Sequence, residues 1–436
     1  MISPLSLSNN RDLFFRQFES IPITATNPNR PPGGRPPKLC DQEIIAGLAW
    51  HVMQSGGTLA NHIEAITGMH VSESALSERR QSLGTAPWLD ALDVFLKPIA
   101  DHSLHPKAFY RGLRLVGVDG TTFNVANTPP MNATAKKTKS RRGKSSFFRI
   151  GCAAAIELGT HGPLALRIGQ NGESEAVLAA QVMVCFNEED LLIGDRYYGN
   201  GKCAARMLKM PNGPNFLLRV QERLKAQTIR CLADGSRLVK VLDPESGEFI
   251  TLREIKAKVC RSGKPWVKVR FWTNLLDSEH YPAIEMVPLY ALRWEEEIAF
   301  YEIKMHLHGK NLLLSHTGIT AAQEICALFM AQAVITTIRA DAAYKHDIPI
   351  MQVSFARTLN VCRNLCWLLA IAKGVLSPKQ LRKIVELTYD QLARNKSQPR
   401  RKRSCPRKVR QPVNKWPRLM KNNYDKGEFE YEIRHS

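Results

Sequence analysis

Apolar residues recur at helical spacing from residue 41 onward. Ile44, Ile45, Leu48, Val52 and Met53 share one side of a helix that Asp41 is placed to cap. After Gly56 and Gly57, Leu59, Ile63 and Ile66 line a short helix, and Val71, Ala75 and Leu76 open another. Gly68 turns the chain between them and Ser72 or Ser74 caps the second, a spacing that predicts a helix-turn-helix. From Leu113 the pattern shortens to strands: LRLVGVDGTTF, SSFFRIGCAAAIEL and PLALRIG. A helix beginning at Glu173 or Ser174 follows, then the strand LLIGD, a helix near Ala204 to Leu208, and the strand NFLLRV. RLVKVL, FITLREIKAKV and WVKVRFWTNLL are short alternating segments that predict a β-rich stretch. Helical periodicity returns at 287–308, 320–342, 355–373 and 378–393.

This order divides the chain into an arm and linker rich in Pro and Gly (1–38), a helical region (39–112) and a mixed α/β part (113–220). A β-rich insertion (221–286), a return to the α/β part through two helices (287–345), C-terminal helices (346–393) and a basic tail (394–436) complete it. The fold class expected is α/β.

Charge narrows the partner. The 436 residues carry 61 Lys and Arg against 40 Asp and Glu, a formal charge of +21 that suits a polyanion, with nucleic acid foremost. On that reading Arg79 and Arg80 project from the second helix of the helix-turn-helix toward a groove or phosphates. Residues 120–156 hold no acid, while Lys136, Lys137, Arg141 and Arg142 cluster in the loop after the first strand, where they could guide a nucleic-acid backbone. Between Arg394 and Arg418 eleven residues are basic and none acidic, a run suited to nonspecific phosphate contacts. The ten cysteines form no CxxC pair, which favours reduced core thiols over a zinc site. No uncharged apolar run approaches the ~20 residues of a membrane span, and the start lacks a leader pattern, so a cytoplasmic location is expected.

Two aspartates end apolar runs in the same manner, Asp119 in LVGVD and Asp195 in LLIGD. If these strands are parallel neighbours, both carboxylates emerge at one edge of the sheet, an arrangement for a divalent metal. A third acid is selected by helix geometry. At about 100° per residue, with Glu297 as zero, Tyr290 falls near +20°, Arg293 near −40° and Lys304 near −20°. Leu289, Leu292, Ala299, Phe300, Ile303 and Leu307 fall roughly between −60° and −160° on the same step, as an adjacent docking face. Glu295, Glu296 and Glu302 are expected to point elsewhere, leaving Glu297 beside both cations.

Tyr290, Arg293, Glu297 and Lys304 match without a gap the Y-x2-R-x3-E-x6-K signature of bacterial insertion-sequence transposases of the DDE class, the fourth-numbered insertion-sequence family, which the chain resembles. VDGTTFNVANTPP resembles the family's first-aspartate segment, GESEAVLAA its following helix and PRKVRQPVNKWPR its C-terminal tail. The resemblance covers about residues 40–418. It implies a ribonuclease-H-like core interrupted by a β-rich insertion before the catalytic glutamate. It also implies two Mg²⁺ ions, for which Mn²⁺ substitutes, on Asp119, Asp195 and Glu297. Cleavage at the element's terminal inverted repeats and strand transfer into target DNA would follow, with a homodimer synapsing two ends. Tyr290, Arg293 and Lys304 would position terminal phosphates, and Trp266 or Trp272 would stack on a flipped base. One departure stands at the second aspartate: the family has Asp-Arg-Gly or Asp-x-Ala before an aromatic, and this chain has Asp195-Arg196-Tyr197-Tyr198. Two other classes stay open on sequence, a DNA-binding protein that no longer catalyses and a nuclease that cleaves without rejoining. The presence of all three carboxylates argues against the first.

Overall fold

The computed structural model describes residues 38–396, apart from 134, 138, 141–142, 145–146, 170–171, 260–265, 310–311, 373–374 and 395. Residues 1–37 of the arm, Arg141, Arg142 and residues 397–436 of the basic tail therefore lie outside the described residues.

Helices α1 (Asp41–His51), α2 (Leu59–Thr67), α3 (Glu73–Leu83) and α4 (Ala86–Phe95) occupy the N-terminal part. Gly68 takes the left-handed conformation that closes α2, and the Ser72 hydroxyl caps α3, as the spacing requires. Asp41 does not cap α1. Cys40 holds that position and Asp41 is the first helical residue, its carboxylate paired with Arg79. Trp50 and Trp88 are fully buried, in a core shared with a helix more than 200 residues away in sequence, described below.

Ten strands form the main sheet, and Lys139–Ser140 pairs with Gly143–Lys144 in a separate two-stranded one. In chain order they are β1 (Leu113–Val125), β2 (Phe148–Glu157) and β3 (Pro163–Ile168); then, after α5 (Glu175–Val182), β4 (Asp190–Gly194); and, after α6 (Gly201–Lys209), β5 (Asn215–Arg219). The insertion adds β6 (Gln227–Cys231), β7 (Arg237–Leu242), β8 (Phe249–Val259) and β9 (Val267–Thr273). The spatial order is β3-β2-β1-β4-β5-β9-β8-β7-β6, with Phe109–Tyr110 paired to β1 as a tenth strand. β4 lies parallel to β1 and β5 parallel to β4; all other neighbours are antiparallel. Leu191, Leu192 and Ile193 in β4 and Phe216, Leu217 and Leu218 in β5 are wholly buried, because central parallel strands are covered on both faces.

The insertion does not start a sheet of its own. β9 pairs directly with β5, Phe271 opposite Arg219 and Thr273 opposite Leu217, so the sheet runs unbroken from the core into the insertion. β6 is missing from the sequence reading because Gln-Thr-Ile-Arg-Cys is exposed at every position and carries no alternation.

The expected five-turn helix at 287–308 is not one rod. α7 (Ala283–Leu289) contains Pro288 and passes into a tight 3₁₀ turn at Tyr290–Arg293; α8 (Trp294–Tyr301) then widens into a π-helical turn over Glu302–His308. Pro288 removes one ladder hydrogen bond inside α7, two residues before the first break. α9 (Gly318–Lys345), α10 (Phe355–Ala372) and α11 (Pro378–Arg394) follow. By length and composition α9 is apolar enough to cross a membrane, yet 83% of its most apolar window is buried inside the protein. It is the core helix against which α1, α4 and β3 pack.

Candidate active site

β1 and β4 set the two aspartates level. Val116 lies opposite Leu192 in the parallel register, and three residues further along each strand come Asp119 and Asp195. Asp195 directly follows its strand, but Asp119 does not end its own. β1 continues to Val125 because β2 returns antiparallel along it, pairing Asp119 with Ala154. Only the parallel neighbour ends, and that exposes the edge from which both carboxylates emerge.

Each carboxylate is fixed by a backbone donor. Gly120 N–H donates to Asp119 Oδ1 at 2.8 Å and Tyr197 N–H to Asp195 Oδ1 at 2.7 Å. Tyr197, the departure noted at the second aspartate, is 48% exposed and so leaves the carboxylate uncrowded. Tyr198 turns inward, 4% exposed, and its hydroxyl donates to Glu175 Oε1 at 3.0 Å.

Glu175 and Glu296 are the residues that sequence reasoning missed. Glu175, at the start of α5, lies over Gly120 so closely that a Cβ there would stand 2.3 Å from its Cδ. Glu296 lies over Gly117 on the face of β1 that also carries Asp119, where a Cβ would meet its Oε2 at 2.7 Å. It is 1% exposed and its Oε1 has no hydrogen-bond partner. The expectation that it points away was wrong, and the helix arithmetic held the signal: Glu296 falls at about −100°, the middle of the apolar face. Burial, reinforced by Asp119, drives its carboxyl well above the usual range. Asp119 is pushed up to about 6, first by burial and then by Glu175 and Asp195, against the opposing pull of Gly120 N–H and Arg293.

Glu297 stands at the rim, its side chain 37% exposed and ion-paired to Arg293. The donor set suits a hard cation in type, since it is all carboxylate oxygen and Asp119 is disfavoured as an anion without a counter-charge. Among the described residues, however, no three acidic, His or Cys side chains are gathered tightly enough to hold a metal. The expected stripe is likewise divided. Tyr290 packs on Phe271 with ring centroids 4.9 Å apart and receives Arg219 over its face at 5.8 Å. Lys304 lies over the Phe123 ring at 5.5 Å, and burial lowers its pKa.

Other candidate contacts separate cleanly. Trp272 is 1% exposed and donates to Glu254 at 3.2 Å, so it cannot stack on a base. Trp266 is 69% exposed and shares a cavity of about 420 Å³ with Lys258 and Lys268. Arg79 and Arg80 are not free for DNA: Arg79 pairs with Asp41, and Arg80 binds Gln323 Oε1 and the Thr320 carbonyl of α9, each at 3.1 Å. Lys136 is exposed with its stem across Gly172, and Lys137 reaches over the Phe148 ring at 5.1 Å.

Residues 110–334, about half of the chain, match the family described as the transposase DDE domain. The sequence is 25% identical over 370 residues to the transposase InsG for insertion sequence element IS4 of Escherichia coli (strain K12), covering 81% of this chain and 80% of that one. A cryo-EM structure of the piggyBac transposase synaptic complex with hairpin DNA overlaps 83% of this chain and 79% of its own at 10% identity. Its TM-score is 0.41, too loose to carry an argument.

Proposed function

Because this chain belongs to the transposase DDE-domain family, we propose that it cuts DNA at the ends of an insertion sequence and joins the freed ends to target DNA, acting at Asp119, Asp195 and Glu297. The observation that carries this reading is the level register of Asp119 and Asp195 on adjacent parallel strands, with Glu296 brought over β1 at Gly117 and Glu297 next to it on the same helix. The strand order β3-β2-β1-β4-β5, with β2 antiparallel to β1 and β1, β4 and β5 parallel, supports a ribonuclease-H-like core.

Asp119 and Asp195 would hold Mg²⁺ with Glu297, now paired to Arg293, as the further ligand. Bound there, a pair of ions would activate the attacking oxygen and neutralise charge on the leaving one. The protein's own groups do the rest. Arg293 would offer its guanidinium fork to a phosphate of the DNA end. Lys304 and Tyr290 flank it on the same segment. Trp266, exposed between Lys258 and Lys268, is the stacking platform for a flipped base, the lysines holding the adjoining backbone. Two copies would synapse the two ends.

Incubation with terminal inverted repeats and Mg²⁺ tests this. Cleavage and joining are expected from the wild type, and neither from Glu297→Ala, with end binding retained. Cleavage by Glu297→Ala at the wild-type rate would overturn the assignment. Trp266→Ala is expected to weaken the complex with a DNA end by about 1–3 kcal/mol in a gel-shift titration. An unchanged affinity would move the stacking role elsewhere.

A further inference from the structure

His161 occupies the tight turn between β2 and β3 in a left-handed conformation, φ +67°, which is unusual for a residue with a side chain. Its ring is wholly buried. Nδ1 lies 2.9 Å from Glu302 Oε2 and Nε2 lies 3.0 Å from Glu295 Oε2. Ionised carboxylates only accept, so two of them on one ring favour a hydrogen on both nitrogens, the imidazolium form. Burial opposes that charge, but Glu302 and Glu295 outweigh it and raise the pKa. Arg339, reaching from α9, approaches Glu302 Oε1 at 3.4 Å, and its Nε donates to the Val353 carbonyl at 2.6 Å. Gln332 adds its amide at 3.3 Å to Glu302 Oε2.

Glu295 and Glu302 are seven residues apart and so share one flank of the helix; from Glu297 they are turned by roughly 140–160°. The buried face carrying Glu296, Ala299 and Phe300 lies between the two flanks. A rotation of this helix about its axis would move Glu297 relative to Asp119 and Asp195, and it would have to break the two bonds to His161 as well as the packing of the buried face. Two directed ionic hydrogen bonds on one imidazole resist it strongly, because buried charges tolerate little misalignment.

We propose that His161 is a positioning residue for the reacting centre: gripping Glu295 and Glu302, it sets the rotation of the helix and so the approach of Glu297. This rests on the assignment of Glu297 above. Misplacement of a reacting group by about 1 Å can cost on the order of a hundredfold in rate.

The test compares the wild type, His161→Gln, Glu295→Ala and Glu295→Gln by single-turnover cleavage at saturating protein, by end-binding affinity, and by amide hydrogen exchange over 294–308. Glu295 is partly accessible, so its variants report even if His161→Gln fails to fold. Glu295→Ala is expected to slow cleavage at least about tenfold while end binding stays within about twofold and exchange in 294–308 accelerates relative to β1. Glu295→Gln, which keeps the acceptor oxygen but not the charge, is expected to recover part of the rate. Glu295→Ala cleaving like the wild type, cleavage and binding falling in parallel, or unchanged exchange would each overturn the proposal. A wild type that cleaves no ends would instead remove the assignment of Glu297, and the exchange measurement would still decide whether His161 grips the helix.

Discussion

Asp119→Asn is expected to yield a protein that melts at a higher temperature than the wild type and cleaves no DNA. Burial, with Glu175 and Asp195 nearby, raises the folded Asp119 carboxyl to about 6 from an ordinary 3.8. Between those values the folded chain keeps a proton that the unfolded chain has lost, so stability falls as pH rises from about 4 to about 6 and stays lower above. The shift corresponds to at most about 3 kcal/mol, and screening at this partly open edge leaves roughly 1–2 kcal/mol. Asparagine keeps the acceptor for Gly120 N–H and removes the charge. The gain in melting temperature should therefore be full at pH 7 and vanish near pH 4. Mg²⁺ should raise the melting temperature of the wild type and leave Asp119→Asn unmoved. Equal melting of the two proteins at pH 7 would show that Asp119 carries no such penalty.

Gly199→Ala should damage both fold and site. A Cβ at this position would fall 1.8 Å from the Arg219 carbonyl oxygen and 2.7 Å from its carbon, both backbone atoms at the end of β5. No rotamer change relieves that contact. Crowding of this kind costs typically about 1–3 kcal/mol, with backbone against backbone at the upper end. Gly199 N–H also donates to the Asp195 carbonyl at 3.0 Å, so the displaced turn carries a candidate ligand with it. Lowered melting and lost cleavage are expected together. Gly56→Ala, where an added Cβ meets nothing within 4 Å, is the control and should change stability by less than about 0.5 kcal/mol. If Gly199→Ala melted like Gly56→Ala, the close approach of the turn to β5 would be refuted.

What could be read from sequence was whatever is local. Ile44, Ile45 and Leu48 declared α1, and the runs LVGVD and LLIGD declared two buried strands whose polar ends had to emerge somewhere. Their level register needed the fold, because a parallel pairing leaves no trace in either strand alone. Glu297 was legible through its spacing to Tyr290, Arg293 and Lys304. Glu296, its neighbour, was not, since a carboxylate on an apolar face is disfavoured until the partners across the sheet are known. The same limit applies to Arg80, which looked like a DNA contact and instead spans 243 positions to Gln323. Trp266 and Trp272 sit six residues apart on one strand region, and only burial tells the exposed ring from the core one.

The direct pairing of β9 with β5 has a consequence for solubility. Asn215–Arg219 presents a buried apolar centre, Phe216, Leu217 and Leu218, and its outer backbone groups are satisfied by the insertion. A core without residues 221–286 would offer that strand as an open apolar edge, a template for pairing with another chain. The outer boundary of the sheet passes instead to β6, a short strand exposed throughout with Ile229 as its one large apolar side chain. The insertion is thus also the molecule's guard against edge-to-edge aggregation.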